Sequence, residues 1–190
     1  MTPPGAKEFP PSALVAARNV DLLILDVDGV MTDGRLYYAD SNPTGSPEFK
    51  AFYAQDGAAI KMLQAAGIPV AIISGRASGA TALRARELGI AHVYQGARDK
   101  TAALRALCEA SGIAAERMAH AGDDIPDLPL FDRVGMRLSV ADAHPEVAAR
   151  ADYVTAAPGG TGAVREICHL ILIARGLWES ALTAADASPP

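Results

Sequence analysis

The 190-residue sequence has few cysteines, few aromatics, no excess of positive charge and no long apolar run. Its two cysteines, Cys108 and Cys168, lie in apolar helical patterns without CxxC spacing. That implies no disulfide framework, and both read more simply as small core residues than as a bridge or metal ligands. With 17 Lys and Arg against 22 Asp and Glu, the net charge is −5 and the isoelectric point near 5.3. Such a balance argues against a nucleic-acid or anionic-membrane surface but does not bear on a local basic pocket for a small anion. The most apolar stretch, "ICHLILIARG" at 167–176, falls far short of the roughly 20 residues a membrane span needs and reads as a buried helix. The opening "MTPPGAKEFPPS" has no apolar segment of the secretory kind, so cytoplasm is the default location.

Half of the residues are hydrophobic and 21% are charged, as expected of one ordinary soluble domain with a sizeable core. The most telling stretch is "LLILDVDGVMTDG", residues 22–34. Four aliphatic residues without polar alternation predict a strand buried on both faces, inside a parallel sheet covered by helices. Asp and Gly commonly end strands, which accounts for one aspartate but hardly for both Asp26 and Asp28. Ligands of open α/β sheets bind beyond the carboxyl ends of the strands. Two carboxylates there repel one another unless a cation or a proton offsets the charge, so the pair predicts a divalent metal, chemistry, or both.

Two alternating, aromatic runs flank the turn-rich "DSNPTGSP" and predict a β-hairpin over 35–53, the one aromatic-rich patch. From Gly57 onward helix and strand patterns alternate, from "AAIKMLQAAG" and "IPVAIISG" to "YVTAA" and "GAVREICHLILIARG". The fold expected is α/β, a three-layer doubly wound parallel sheet with no cap domain and a protruding β-hairpin after the first strand. Residues 19–178 are expected to form the domain, with flexible Pro- and Ser-rich segments at 1–18 and 179–190.

Polar residues recur where strands end: Asp26 and Asp28, then Ser74 in "IISGR", Lys100 in "QGARDK", and Asp123, Asp124 and Asp127 in "AGDDIPD". Each has a plain alternative as a helix cap or a turn. In this order, and converging on one sheet edge, they supply the parts needed to move a phosphoryl group, a reaction that depends on positioning and charge neutralisation. Asp26 would attack phosphorus in line and form an aspartyl phosphate. Asp28 would protonate the leaving alcohol and later take a proton from water. Asp123, with Asp26 and the backbone carbonyl of Asp28, would offer hard oxygens to Mg²⁺. Ser74, the amide of Gly75 at a helix start, and Lys100 would hold the phosphoryl oxygens.

"DVDGVMTDG", "SGR", the isolated Lys100 and "GDDIPD" resemble the four motifs of the haloacid dehalogenase-like phosphohydrolases. Longer stretches, "FKAFYAQDG", "GDDIPDLPLF", "VADAHPEVAARADYVT" and "GGTGAVREICHLILIARG", resemble one branch, the 3-deoxy-D-manno-octulosonate 8-phosphate phosphatases. The resemblance covers nearly the whole ordered chain. It implies the same residue roles, with Asp124 and Asp127 supporting the metal site or Lys100. It also implies lipopolysaccharide precursor synthesis in the cytoplasm of a Gram-negative bacterium, and a homotetramer whose neighbouring subunit covers each site. The gaps between motifs leave no room for a lid, so the aromatic hairpin is expected to pack on a neighbour and help exclude water. Thr32, Asp33, Gly34 and Arg76 are the expected lining of the substrate pocket, with Gly75.

His120 and His144 read as packing or capping histidines, and "PGGTGA" at 158–163 as a helix-entry turn. Four other readings compete: a phosphatase for a nine-carbon ulosonate 9-phosphate, a phosphosugar mutase, a receiver-type signalling module that stores an aspartyl phosphate, and a non-catalytic scaffold, against which the complete set of motif residues argues. A receiver places its acidic pair first and its phosphorylated Asp on a middle strand, an order this sequence does not follow. Asp28 beside the nucleophile also favours turnover over storage.

Overall fold

The computed structural model describes residues 9–38 and 48–186. Six parallel strands form one sheet: β1 (Leu22–Leu25), β4 (Val70–Ile73), β5 (His92–Tyr94), β6 (Met118–Gly122), β7 (Met136–Ser139) and β8 (Tyr153–Val154). Their spatial order is β5-β4-β1-β6-β7-β8. The chain builds outward from β1 to one edge, returns to β6 on the other side of β1, and builds outward again. The boundary between β1 and β6 is therefore the switch point at which loops diverge, where a ligand site is expected.

The "LLIL" run is fully buried, and its residues divide between the two faces. Leu23 and Leu25 join the larger core beneath α1 (Pro11–Ala17), α2 (Ala54–Ala65), α3 (Gly79–Glu87) and α7 (Ala163–Ala174). Leu22 and Ile24 pack on the opposite side against Leu104 and Leu107 of α4 (Lys100–Ser111) and Leu130 of α5 (Leu128–Phe131). This two-sided burial is why the strand shows no polar alternation. The short α6 (Pro145–Ala148) follows β7, and α8 (Trp178–Asp186) packs on α2 and α7. Among the described residues, no single helix is long and apolar enough to cross a membrane.

The expected hairpin is represented by β2 (Tyr37–Tyr38) and β3 (Glu48–Phe49), paired antiparallel with Tyr37 opposite Phe49 and Tyr38 opposite Glu48. The expected turn "DSNPTGSP", residues 40–47, lies outside the described residues. Leu36, Tyr37, Tyr38 and Phe49 expose 41–59% of their surface, so the hairpin does not pack its aromatics on its own sheet.

The expectation of flexible ends requires correction. Residues 9–18 dock on the core through Phe9, whose ring meets Tyr153 at 5.8 Å and His169 at 5.4 Å, and through buried Ala13 and Ala17. Pro10 and Pro11, read as disordering, occupy the cap and first turn of α1, where a fixed φ and a missing N–H suit a helix start. At the other end, residues 179–186 continue α8.

Helix α7 begins at Gly162, which has no side chain to cap it. Asp56 of α2 takes that task from across the interface: its Oδ1 accepts the Arg165 amide at 2.8 Å. Burial raises the Asp56 pKa against the pull of the Arg165 and Gly162 amides. The "AQDG" of the sequence is thus a cap delivered between helices. Asp56→Ala is expected to lower the unfolding free energy by about 1–2 kcal/mol in urea denaturation. Asp56→Asn should cost less, because its amide oxygen still accepts.

Candidate active site

Asp26 leaves the end of β1 still paired, its amide donating to Ala121 O at 3.0 Å. The parallel register then fixes its surroundings. Leu25 lies opposite Ala121 on one side and Ile72 on the other, so Asp123 and Ser74 each emerge two residues beyond those partners, on the same sheet edge. After Asp26 the chain makes a tight turn over Val27–Met31 in which Gly29 has φ +93°. A Cβ at Gly29 would stand 2.1 Å from Asp123 Oδ2, so only glycine lets the loop after Asp26 approach that carboxylate.

Oxygens of Asp26, Asp123 and Asp127 lie within 4.8 Å of one another. Burial, with repulsion from its acidic neighbours Asp26, Asp127 and Asp124, pushes the Asp123 pKa up to about 8. Burial also raises Asp26, to about 6, against the attraction of Lys100. Asp127 moves the other way: burial opposes its charge, but His120 and Lys100 outweigh that and hold it well below the usual carboxylate range.

Hydrogen bonds explain the difference. Asp127 Oδ1 accepts from Lys100 Nζ at 2.6 Å and lies 2.9 Å from His120 Nε2, while its Oδ2 accepts the amides of Asp123 and Asp124 at 3.1 and 3.4 Å. Its oxygens are therefore committed to protein donors. Asp123 Oδ1 is buried without a hydrogen-bond partner, and Asp26 Oδ1 sits 3.0 Å from Lys100 Nζ as an ion pair without hydrogen-bond geometry. Two carboxylates short of donors, beside a third that is saturated, are the donor set a small hard cation fits. Asp123 and Asp26 would hold it, and the Asp28 carbonyl lies in the Gly29 turn against which Asp123 packs.

Lys100 is 7% exposed and bridges Asp26 and Asp127; burial opposes its charge, but these two carboxylates keep it an ammonium. It opens α4, where Asp99 caps the helix by accepting the amides of Thr101 and Ala102. Asp124, by contrast, is exposed and spends its carboxylate capping the turn at Ile125. Of the two supporting acids, Asp127 is the one that reaches the cluster. His120 is fully buried between Asp127 and the Phe131 ring, and His144 Nδ1 accepts the Glu146 amide as the cap of α6.

Ser74 is buried and still paired to β5 through its amide and Tyr94 O at 2.9 Å. Gly75 is not at a helix start as expected. Helix α3 begins four residues later, because the Ser74–Arg76 segment is tied instead to the loop after β5: Gly96 N donates to Arg76 O and Ala97 N to Ser74 O. The side of Gly75 that a Cβ would occupy is open.

Thr32 also differs from expectation. It is buried, with its hydroxyl donating to Val27 O at 3.2 Å and accepting the Gly34 amide at 3.3 Å, so it closes the loop rather than facing a substrate. Asp33 accepts the Arg35 amide and the Tyr37 hydroxyl, and Gly34 turns the chain at φ +73°; both launch the hairpin.

Two parts of the site escaped sequence reasoning. Lys50, just past β3, donates to Asp28 Oδ1. The "PGG" turn, beyond serving as the entry to α7, presses on the loop after Asp26. Gly160 N donates to Val30 O at 3.0 Å, and a Cβ on Gly159 would stand 1.8 Å from Gly29 O.

A profile of haloacid dehalogenase-like hydrolases matches residues 84–167. Over 171 residues the chain is 45% identical to the 3-deoxy-D-manno-octulosonate 8-phosphate phosphatase of Salmonella typhimurium, spanning 90% of this chain and 89% of that one. The chain belongs to the 3-deoxy-D-manno-octulosonate 8-phosphate phosphatase family. Solved members of this phosphatase family share the fold. The Yersinia pestis enzyme superimposes with a TM-score of 0.84 at 44% identity, covering 89% of each chain. That of Moraxella catarrhalis, in complex with a magnesium ion, a phosphate ion and a KDO molecule, gives 0.84 at 41% identity, covering 90% of this chain and 97% of that one. Both resemblances read from the motifs are thereby borne out, at the level of superfamily and of branch.

Proposed function

We propose that this protein hydrolyses 3-deoxy-D-manno-octulosonate 8-phosphate to the free sugar acid and phosphate, with Mg²⁺ as cofactor and Asp26 as nucleophile. The observation that carries the reading is the placement of buried Asp26 between the Lys100 ammonium and the donor-poor Asp123, with Asp28 two residues on, in a chain of this family.

Asp26 attacks phosphorus, forming its O–P bond as the ester P–O bond breaks and Asp28 gives a proton to the departing oxygen. Water then cleaves the Asp26 acyl phosphate, with Asp28 taking its proton and Asp26 returning to a carboxylate. Lys100 and Ser74 face the phosphoryl oxygens, and the open Gly75 amide adds a donor. Bound Mg²⁺ offsets the charge between anionic nucleophile and anionic ester. In this reading Arg76, 43% exposed beside Asp28, meets the substrate, while Thr32, Asp33 and Gly34 shape the loop. Asp127 holds Lys100 in place.

The same reading puts the protein in the cytoplasm, in lipopolysaccharide precursor synthesis, as a homotetramer. The exposed aromatic hairpin supports a neighbouring subunit lying over the site.

The test is Mg²⁺-dependent phosphate release from a panel of sugar phosphates. The eight-carbon ulosonate phosphate should exceed simple hexose phosphates in kcat/KM by at least about 10²-fold. Equal or better turnover of the nine-carbon ulosonate 9-phosphate would reassign the substrate, and no release from any member would reject the phosphatase reading.

A further inference from the structure

Lys50 has no task in the mechanism above, yet its surroundings are unusual. The chain leaves β3 and turns this side chain inward until it is 1% exposed. Its ammonium donates to Asp28 Oδ1 and lies 2.9 Å from Glu48 Oε1. From the other side, Arg76 Nε approaches Asp28 Oδ2 at 3.6 Å while its guanidinium meets Glu48 Oε2 at 3.3 Å and the Tyr38 hydroxyl at 3.4 Å. Each oxygen of Asp28 thus faces a different cation, and Glu48 ties the two cations together.

A lysine is not buried to this degree without compensation, because lost hydration is costly unless partners replace it. Burial opposes its charge, but Asp28 and Glu48 outweigh burial and keep it an ammonium. Holding the hairpin to the body would need only one such partner anywhere along the strand. The partner here is the carboxylate that must meet the leaving oxygen. A free aspartate rotates about two bonds, and a misplacement of about 1 Å costs on the order of 10²-fold in rate.

We propose that Lys50 is a positioning residue for Asp28, delivered by the hairpin, which fixes the orientation in which that carboxyl group serves the leaving oxygen. The inference rests on the assignment of Asp28 as acid and base. It gives the hairpin a task within its own subunit, separate from any role in covering a neighbour.

The experiment compares kcat/KM for the sugar phosphate and for 4-nitrophenyl phosphate, since kcat/KM reports only the steps through the first P–O cleavage. Nitrophenolate departs without a proton, whereas an alkoxide needs one. Lys50→Met should lower kcat/KM for the sugar phosphate by about 10²-fold and for the aryl ester only a few-fold, with Lys50→Arg restoring most of the loss. Adding Lys50→Met to Asp28→Asn should cost less than about 2-fold more, because a positioning residue has nothing left to position. Glu48→Gln, which loosens Lys50 and Arg76 together and leaves both charges in place, should give the same selective pattern at smaller size. It should add less than about 2-fold in the Asp28→Asn background, whereas a loss through Arg76 and substrate binding would persist there; this decides the matter should Lys50→Met fold poorly. Equal losses on both esters, or additive losses in the double variant, would overturn the role of Lys50 while leaving the phosphatase intact. An undiminished Asp28→Asn would reject the acid–base assignment and the inference with it.

Discussion

Replacing Asp26 by asparagine is expected to reduce phosphate release by a factor on the order of 10⁴ or more while leaving the protein folded. The amide matches the carboxylate in size but is a poor nucleophile, so the P–O bond to the enzyme cannot form. The usual objection, that a dead variant is merely unfolded, is answered by electrostatics. Asp26 is pushed up to about 6, chiefly by burial, so at neutral pH its charge costs the metal-free protein stability. Removing that charge should leave the melting temperature unchanged or higher in the absence of metal. The rise in melting temperature that Mg²⁺ produces should shrink, because one of the two donor-poor carboxylates is gone. Residual turnover within about tenfold of the native protein would show that the nucleophile lies elsewhere. A loss of activity that tracks a loss of fold would leave Asp26 a structural residue.

Much of this could be read from the chain because parallel-sheet chemistry is written locally. "LLIL" is apolar because both faces of β1 are covered, and Asp26 follows because the sheet ends there. Asp123 and Ser74 could be placed beside it from the β-α rhythm alone, since parallel strands put all their carboxyl ends on one edge. The misreadings share a different cause. Phe9 anchors α1 through rings more than 140 residues away in sequence, which no local pattern reveals. Thr32 is buried because its bonds to Val27 and Gly34 close a loop that only three-dimensional packing defines. Lys50 stands 22 residues from Asp28 with the hairpin between them, and a lone lysine after a strand carries no signal of its own. The doubled glycine at 159–160 did carry one: two adjacent residues without side chains mark close backbone approach, here to Gly29 and Thr32.

The second large effect is a dependence of stability on pH that Mg²⁺ abolishes. Asp123 at about 8 and Asp26 at about 6 both lie above their unfolded value of 3.8, so between pH 4 and 8 the metal-free folded protein binds more protons than the unfolded chain. Stability therefore falls as pH rises through that window. Asp127 and Lys100 do not contribute to the slope there. Asp127 is depressed, so its contribution is lost only in acid, and Lys100 is raised, so its contribution persists until alkaline pH. From pH 5.5 to 8 the protein in EDTA should lose a few kcal/mol, seen as a fall of about 5–10 °C in Tm. Magnesium replaces the protons with a fixed positive charge, so with millimolar Mg²⁺ the two melting temperatures should converge, the gain being larger at pH 8, where Asp26 is ionised, Asp123 is about half ionised and fewer protons have to be displaced. Asp123→Asn should flatten most of the slope in EDTA by itself, because burial and three acidic neighbours act on that residue most strongly. A Tm in EDTA that stays level from pH 5.5 to 8 would mean that the carboxylates already share enough donors to ionise together. The case for a cation between Asp26 and Asp123 would then lose its electrostatic basis.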